Sequence, residues 1–587
     1  MRKRSAWFPD ATASGEPVHL RVGINNAIKD AGSVLQQSIH LAGASVAARP
    51  IGWWVPEDDP PTVGENALAR AVRRINQPVY LVEVCGRPAV AVTGRVLIGE
   101  GSSPSPDAMA LLALVLPLPA ARLGDPAFRA AHRLRYAYVA GAMANGIGSC
   151  EIVEAMARAG MVGFFGAAGL SIDRVEAAID RIQRNVGSLP YGFNLIHSPD
   201  DPGLESRIVD LYLRRQVRLV SASAYLDLTL PLVRYRLTGV YATGDGAVTA
   251  PNRVIAKVSR TEVAGKFLSP APEAMVEKLV AEGAISSEQA QLARRIPMAE
   301  DITAEADSGG HTDNRPAITL LPALLALRDE LQQAHGYAVT PRIGLAGGIA
   351  TPGAVAAAFS MGAAYVLTGS INQACVEAGT SPAVREMLAA AGPADVAMAP
   401  AADMFEMGVN VQVLKWGTMF AVRARKLYHL YRSLPSLEGL SPRDRAMLER
   451  DCFRCPLDQA WARTEAFFET RDRGQIERAS RDPKHKMALL FRAYLGQSSD
   501  WANRGDPSRR ADYQVWCGPA MGAFNQWVRG SFLERPDQRD VVTVGLNLMV
   551  GAGAVTRAAA LRAQGIELPP AAHRFDPLAR SELQDYV

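Results

Sequence analysis

From Arg135 to about Ser370 the chain alternates short apolar runs, rich in β-branched residues, with longer stretches whose apolar positions recur three and four apart. The runs are RYAYVAGAM (135–143), MVGFFGAAG (161–169), PYGFNLI (190–196), VRLVSAS (217–223), RVIAKVS (253–259), DITAEAD (301–307), PRIGLAGG (341–348) and AYVLTGS (364–370). The spacing predicts a buried strand for each run and an amphipathic helix for stretches between them such as SIDRVEAAIDRIQRNVG. Strand and helix repeated in that order build a parallel sheet. Eight strands fit the roughly 250 residues of a (β/α)8 barrel. A doubly wound open sheet uses fewer strands and puts its glycine-rich turn after the first of them. Here the glycine pairs follow the sixth and seventh runs, which favours an α/β chain with a TIM barrel over 131–375.

Residues 1–130 read as a separate α+β region, in which NQPVYLVEVCGRPAVAVTGRVLIGEG predicts two or three antiparallel strands with turns at Gly86 and Pro88. Residues 376–587 read as a helix-rich region that completes the barrel domain and serves substrate binding or a homodimer. Its segment VNVQVLKWGTMFAVRARKLYHLYRSL joins apolar and aromatic positions to a row of Lys and Arg, as at a substrate entrance or a dimer contact. Composition then narrows the partners. With 587 residues, 48% of them hydrophobic, the chain can build several cores. The 63 Lys and Arg against 59 Asp and Glu leave a formal charge of only +4, so nucleic acid is not expected.

The six cysteines lack the spacing of a disulfide framework, and a reducing cytoplasm is expected. The basic start leads into Pro, Asp, Ser and Gly instead of an apolar core, so no signal peptide is expected. The apolar stretch Ala108 to Ala120 is broken by Pro117 and Pro119 and is too short to span a bilayer, so no membrane is expected. Cys452 and Cys455 form a C-x-x-C pair with no second pair or histidine pattern, so DCFRCP reads as helix surface with two free thiols and no metal. GAGAVTRAAA near the end reads as helix packing.

Chemistry should sit at the carboxyl ends of the strands, with phosphate bound by the loops after the last ones. Gly309 and Gly310 follow the sixth run, Gly347 and Gly348 end the seventh, and Gly369 and Ser370 end the eighth. Without a Cβ, such corners let backbone N–H groups close on a phosphate, although glycine at a strand-to-helix turn also serves geometry alone. Small residues around Ala142 and Met143 leave room for a flat ring, or simply pack. Asn194 is a polar side chain in the apolar run GFNLI and needs partners, from a ring edge or from backbone. Lys257, inside VIAKVS, either neutralises an anionic reduced flavin ring or pairs with Glu305 or Asp307. His311 follows the glycine pair and titrates near neutrality, which suits a catalytic proton donor or an ordinary surface loop.

In order along the chain, RYAYVAGAMANGIGS, EADSGGHTDNRPA, GLAGGIATP and FEMGVNVQVLKWGTMFAVRARKLYHLY resemble the trans-acting, PfaD-type enoyl reductases of polyunsaturated fatty acid synthases and trans-acyltransferase polyketide synthases. The similarity runs from about Leu123 through DYQVWCGPAMGAFNQWVRGSF. It implies a nitronate monooxygenase-like flavin barrel, FMN as cofactor and NADPH as electron donor. It puts the ring near Ala142, Met143, Asn194 and Lys257, the phosphate on Gly309, Gly310, Gly347, Gly348, Gly369 and Ser370, and His311 beside the ring. The nitronate monooxygenases tend to read AGGH where this chain reads DSGGHTDN, which bears on the part His311 plays. The implied reaction reduces an enoyl thioester on an acyl carrier protein, with a proton to the α-carbon from His311 or water. Lys415, Arg423, Arg425 and Lys426 read as a basic helical stretch for that carrier or as a solvated helix face. The alternatives are a nitronate monooxygenase-like flavin oxidase and a non-catalytic component docked on a synthase.

Overall fold

A computed structural model describes residues 39–41, 44–46 and 49–586, apart from 58, 100 and 198–201. Eight parallel strands close into a barrel. They are β1 (Tyr138–Ala140), β2 (Val162–Phe165), β3 (Gly192–Ile196), β4 (Leu219–Ser223), β5 (Arg253–Val258), β6 (Asp301–Glu305), β7 (Arg342–Ala346) and β8 (Val366–Thr368). Each lies within one of the eight apolar runs, because strands covered on both faces bury nearly every residue. β8 closes on β1 in parallel, with Val366 opposite Tyr138 and Thr368 opposite Ala140. Helices between the strands start on capping hydroxyls, among them Ser149, Ser171, Thr229 and Thr351.

Helix Pro126–His132 plugs the amino end of the barrel. Its Phe128 stacks on Tyr365 with ring centroids 4.1 Å apart and joins the interior cluster. His132 Nε2 lies 2.8 Å from Asp301 Oδ2, and Arg342 reaches both oxygens of the same carboxylate at 2.6 and 2.9 Å. All three side chains are buried, and this end of a barrel ordinarily serves stability.

The segment read as two or three antiparallel strands supplies three, Val79–Val84, Arg87–Ala91 and Arg95–Ile98, to a six-stranded antiparallel sheet. The hairpin turn is Cys85–Gly86, both at positive φ as a two-residue turn requires, while Pro88 lies in strand Arg87–Ala91 instead of in a turn. Helix Val541–Ala563 ties this sheet to the barrel. Ala558 and Leu561 share a core with Leu68, Val72, Leu81 and Val115, and the helix also packs along helix Pro352–Ser360. A Cβ on Gly551 would lie 2.6 Å from both Phe575 and Pro352, so GAGAV is a close-packing motif. This helix is long and apolar enough to cross a membrane, but 89% of its apolar window is buried inside the protein, as in a core helix.

Beyond β8 the helix-rich region also holds a short sheet. Strands Val396–Pro400 and Asn410–Leu414 form a small antiparallel sheet with Gly310–His311. Helices Phe420–Ser433, Leu457–Arg471, Arg473–Arg481 and Pro483–Arg504 follow. Cys452 is buried in a π-helical turn rather than on a helix surface, and Cys452 and Cys455 are both free. Lys415 lies between the strand and the helix, so only Arg423, Arg425 and Lys426 of the basic row are helical.

Candidate active site

Inside the barrel, Val139, Phe164, Leu219, Ile255, Ala346, Tyr365 and Leu367 form one buried cluster. Strand side chains alternate, so positions two residues further on from this cluster also face inward, nearer the carboxyl end. They are Ser221 after Leu219, Lys257 after Ile255, and Glu305 after Thr303, whose hydroxyl bonds Tyr365 at 2.7 Å. Asn194 joins them from β3, its Nδ2 donating to the Ser221 carbonyl at 3.1 Å and the Ser223 hydroxyl at 3.3 Å. Lys257 Nζ sits 2.7 Å from Glu305 Oε1. The expected pairing is therefore with Glu305. Asp307 is engaged elsewhere, taking 2.8 Å bonds from Asn314 Nδ2 and Gln412 Nε2. The upper interior wall from β3 to β6 is thus polar, and Ser221 Oγ is buried there without a hydrogen-bond partner among the described residues.

The three glycine corners come together. β6, β7 and β8 are neighbours in the barrel. A Cβ on Gly347 would lie 2.6 to 2.8 Å from the backbone of Ala306 and Asp307, so the seventh corner rests on the sixth. Gly518 spans the other two, its N–H donating to Ser370 Oγ at 3.2 Å while its Cα side packs on the Gly309 backbone. The six positions divide in two. Gly309 and Gly347 are glycines because backbone crowds them, Gly309 against Cys517 and Gly347 against Ala306. A Cβ on Gly310, Gly348 or Gly369 would meet no heavy atom beyond the chain neighbours within 4 Å, so that side of each corner is empty space.

His311 lies on the short strand beside Val411, and its Nε2 is 3.1 Å from Asp403 Oδ1. Burial pulls its pKa down, but the hydrogen bond and charge of Asp403 outweigh that, with Glu305 adding, so it stands above the ordinary histidine value. Asp403 shifts the opposite way: burial opposes ionisation, and the bond to His311 overcomes it. Next to the eighth corner, where the Gly141 N–H donates to the Thr368 carbonyl at 2.9 Å, Ala142 and Met143 are half-buried. Gly166 is kept small by the Met143 carbonyl, which a Cβ there would meet at 1.6 Å.

Asp403, Gln412 and Gly518 escaped the sequence reading. Gln412 is 5% exposed and also donates to the Ser308 carbonyl at 2.8 Å, holding the DSGGH loop. It is a polar residue in the apolar run NVQVL, the same signal that marked Asn194. Asp403 and Gly518 carry no local signal, since each reaches its partner across a long stretch of chain.

The nitronate monooxygenase family model matches residues 128–415. The solved enoyl reductase domain of MlnA, from the macrolactin biosynthesis cluster of Bacillus amyloliquefaciens, is 42% identical with a TM-score of 0.72, covering 75% of this chain and 99% of that one. This chain belongs to the same enoyl reductase family. Polyketide biosynthesis protein PksE of Bacillus subtilis is 49% identical over 428 residues, 73% of this chain and 55% of that protein. A polyunsaturated fatty acid synthase subunit of Thraustochytrium is 46% identical over 474 residues, 79% of this chain and 32% of that protein. The chain spans about half the length of such relatives or less. A second model, the inserted helical domain of [acyl-carrier-protein] S-malonyltransferase, matches residues 434–513, the helices after Phe420–Ser433. The chain thus joins an enoyl reductase-type barrel to a helical unit of that second kind.

Proposed function

We propose that the chain is an FMN- and NADPH-dependent reductase of α,β-unsaturated thioesters borne on the acyl carrier protein of a polyketide or polyunsaturated fatty acid synthase. The observation that supports this most is the meeting of three glycine corners, with empty space at each, beside a polar interior wall. When bound, FMN supplies hydride transfer between a nicotinamide and a carbon–carbon double bond.

The residues present fit that group. Gly310, Gly348 and Gly369, which have empty space where a Cβ would stand, would hold its phosphate together with Ser370. The unpartnered Ser221 hydroxyl, with Asn194, offers polar contacts that an apolar occupant would leave unsatisfied. Lys257 would balance negative charge on the ring, with Glu305 holding it in place until then. Met143 would pack against the ring face. His311, whose pKa Asp403 raises, would deliver a ring proton to the α-carbon as the β-carbon is reduced. The thioester oxygen then carries the developing charge, which favours nearby donors. The cysteines at 85, 150, 375, 452, 455 and 517 are free, which suits work in the cytoplasm.

The purified protein should be yellow, release FMN on denaturation, and oxidise NADPH without air only when an enoyl thioester is supplied. A colourless protein that takes up no FMN would contradict the reading. Turnover that requires oxygen and an alkyl nitronate would replace it with the oxidase chemistry named by the barrel's family model.

A further inference from the structure

The strand that pairs with His311 leads out to a groove that the proposed chemistry does not use. After Leu414 the chain turns through Gly417, at φ +75°, into helix Phe420–Ser433. An open groove of about 590 Å³ lies along this turn, lined by Lys415, Trp416, Met419, Val422, Arg425 and Ala511 among others. Its apolar side chains are unusually bare: Trp416 is 45% exposed, Met419 47% and Val422 52%. Scattered exposed apolar residues are normal, but a contiguous set rimmed by charge marks a binding surface.

The rim is positive. Lys415 and Arg425 are exposed, and among the described residues neither has a carboxylate within salt-bridge distance. Their neighbours divide in an instructive way. Lys426 is paired with Asp444. Arg423, Arg454 and Arg509 all converge on the single buried carboxylate of Asp512, which leaves an excess of positive charge beside Ala511. Asp395 is the one carboxylate among the lining residues. The groove is also tied to the chemistry. Val411 faces His311 across the small sheet, and four strand residues carry the chain on to Lys415, about 13 Å at the usual rise.

We propose that this groove is where the acyl carrier protein docks, an acidic partner whose apolar ridge covers Trp416, Met419 and Val422 while its carboxylates meet Lys415 and Arg425. The assignment rests on the reductase reading above for the identity of the substrate. The docked carrier would stand within reach of His311 for a thioester on a long flexible arm. Charge at the rim sets the rate of encounter more than the chemistry that follows.

The test compares one enoyl group on two handles, the cognate carrier protein and free pantetheine, with the full-length holoenzyme. K415E/R425E should raise KM for the carrier-bound substrate about tenfold with kcat retained, and should flatten its salt dependence. Turnover of the pantetheine thioester should stay within about twofold of the unaltered enzyme. W416A should repeat the pattern without the change in salt dependence. Equal losses on both handles, or no change on either, would overturn the assignment. So would a shift in oligomeric state caused by the charge reversal, since the groove would then serve a second copy of the chain. If the unaltered enzyme reduces neither thioester, the reductase reading fails on its own. Binding of the immobilised carrier protein, weakened about tenfold by K415E/R425E, would then still support docking, and binding indifferent to the variant would overturn it.

Discussion

At the amino end of the barrel, Asp301 is held by His132 and by both arms of Arg342, and helix Pro126–His132 shuts the group from water. At the carboxyl end, Lys257 and Glu305 make a single ion pair in which each side chain keeps about a sixth of its surface exposed. His311 and Asp403 make another that is more exposed still. Both ends use inward-facing charge from neighbouring strands. Only the number of partners and the cover differ, and these separate a staple from a site. A buried carboxylate with three charged hydrogen bonds on its two oxygens has little left to give a ligand, whereas a cation with one partner can exchange it.

The largest loss is expected on replacing Asp301. Asp301→Ala strands Arg342 and His132 in the interior and should cost about 3–5 kcal/mol in denaturant unfolding. Acid should act on the same group. Burial disfavours its ionisation, but His132 and Arg342 overcome that and hold the carboxyl at about 2 against an ordinary 3.8. A lowered folded-state pKa contributes stability that is complete above the ordinary value, so this contribution should fade as pH falls from about 4 toward 2. At the mouth the loss should fall on rate instead. His311→Gln should cut kcat for thioester reduction by about 10²–10⁴-fold while the unfolding midpoint holds.

The glycine corners carry the same division into the mouth itself. Gly348→Ala puts a methyl into open space at φ +75° and should cost only about 1–2 kcal/mol of stability while weakening FMN binding. Gly347→Ala drives the same methyl into the Ala306 backbone and should destabilise the protein more, with or without FMN. Thermal melts with and without added FMN separate the two. The smallest effect is expected for Asp403→Asn. Losing the partner that raises the His311 pKa should move the alkaline fall in kcat to lower pH, a loss of about tenfold or less on that limb.

The barrel was legible because its strands are buried on both sides and advertise themselves as apolar runs, all eight of which contain a strand. Asn194 and Lys257 stood out as polar residues inside apolar runs, and His311 by following a glycine pair. What stayed hidden depends on pairing across distance. Gly310–His311 read as loop because its strand partner, Asn410–Leu414, lies beyond β8. Gly309 and Gly347 look the same in sequence as Gly310 and Gly348, yet only the packing of Cys517 and Ala306 separates the crowded pair from the open one. The basic row around Arg423 read as one face, whereas Asp512 and Asp444 neutralise part of it and leave Lys415 and Arg425 exposed.

If FMN at the mouth of this barrel carries reducing equivalents to an enoyl thioester, one equivalent of NADPH added in the absence of air should bleach the flavin band of the purified protein. A carrier-bound enoyl thioester added next should bring the band back, with one saturated thioester formed per flavin. A flavin that stays reduced until oxygen is admitted would refute the reductase assignment.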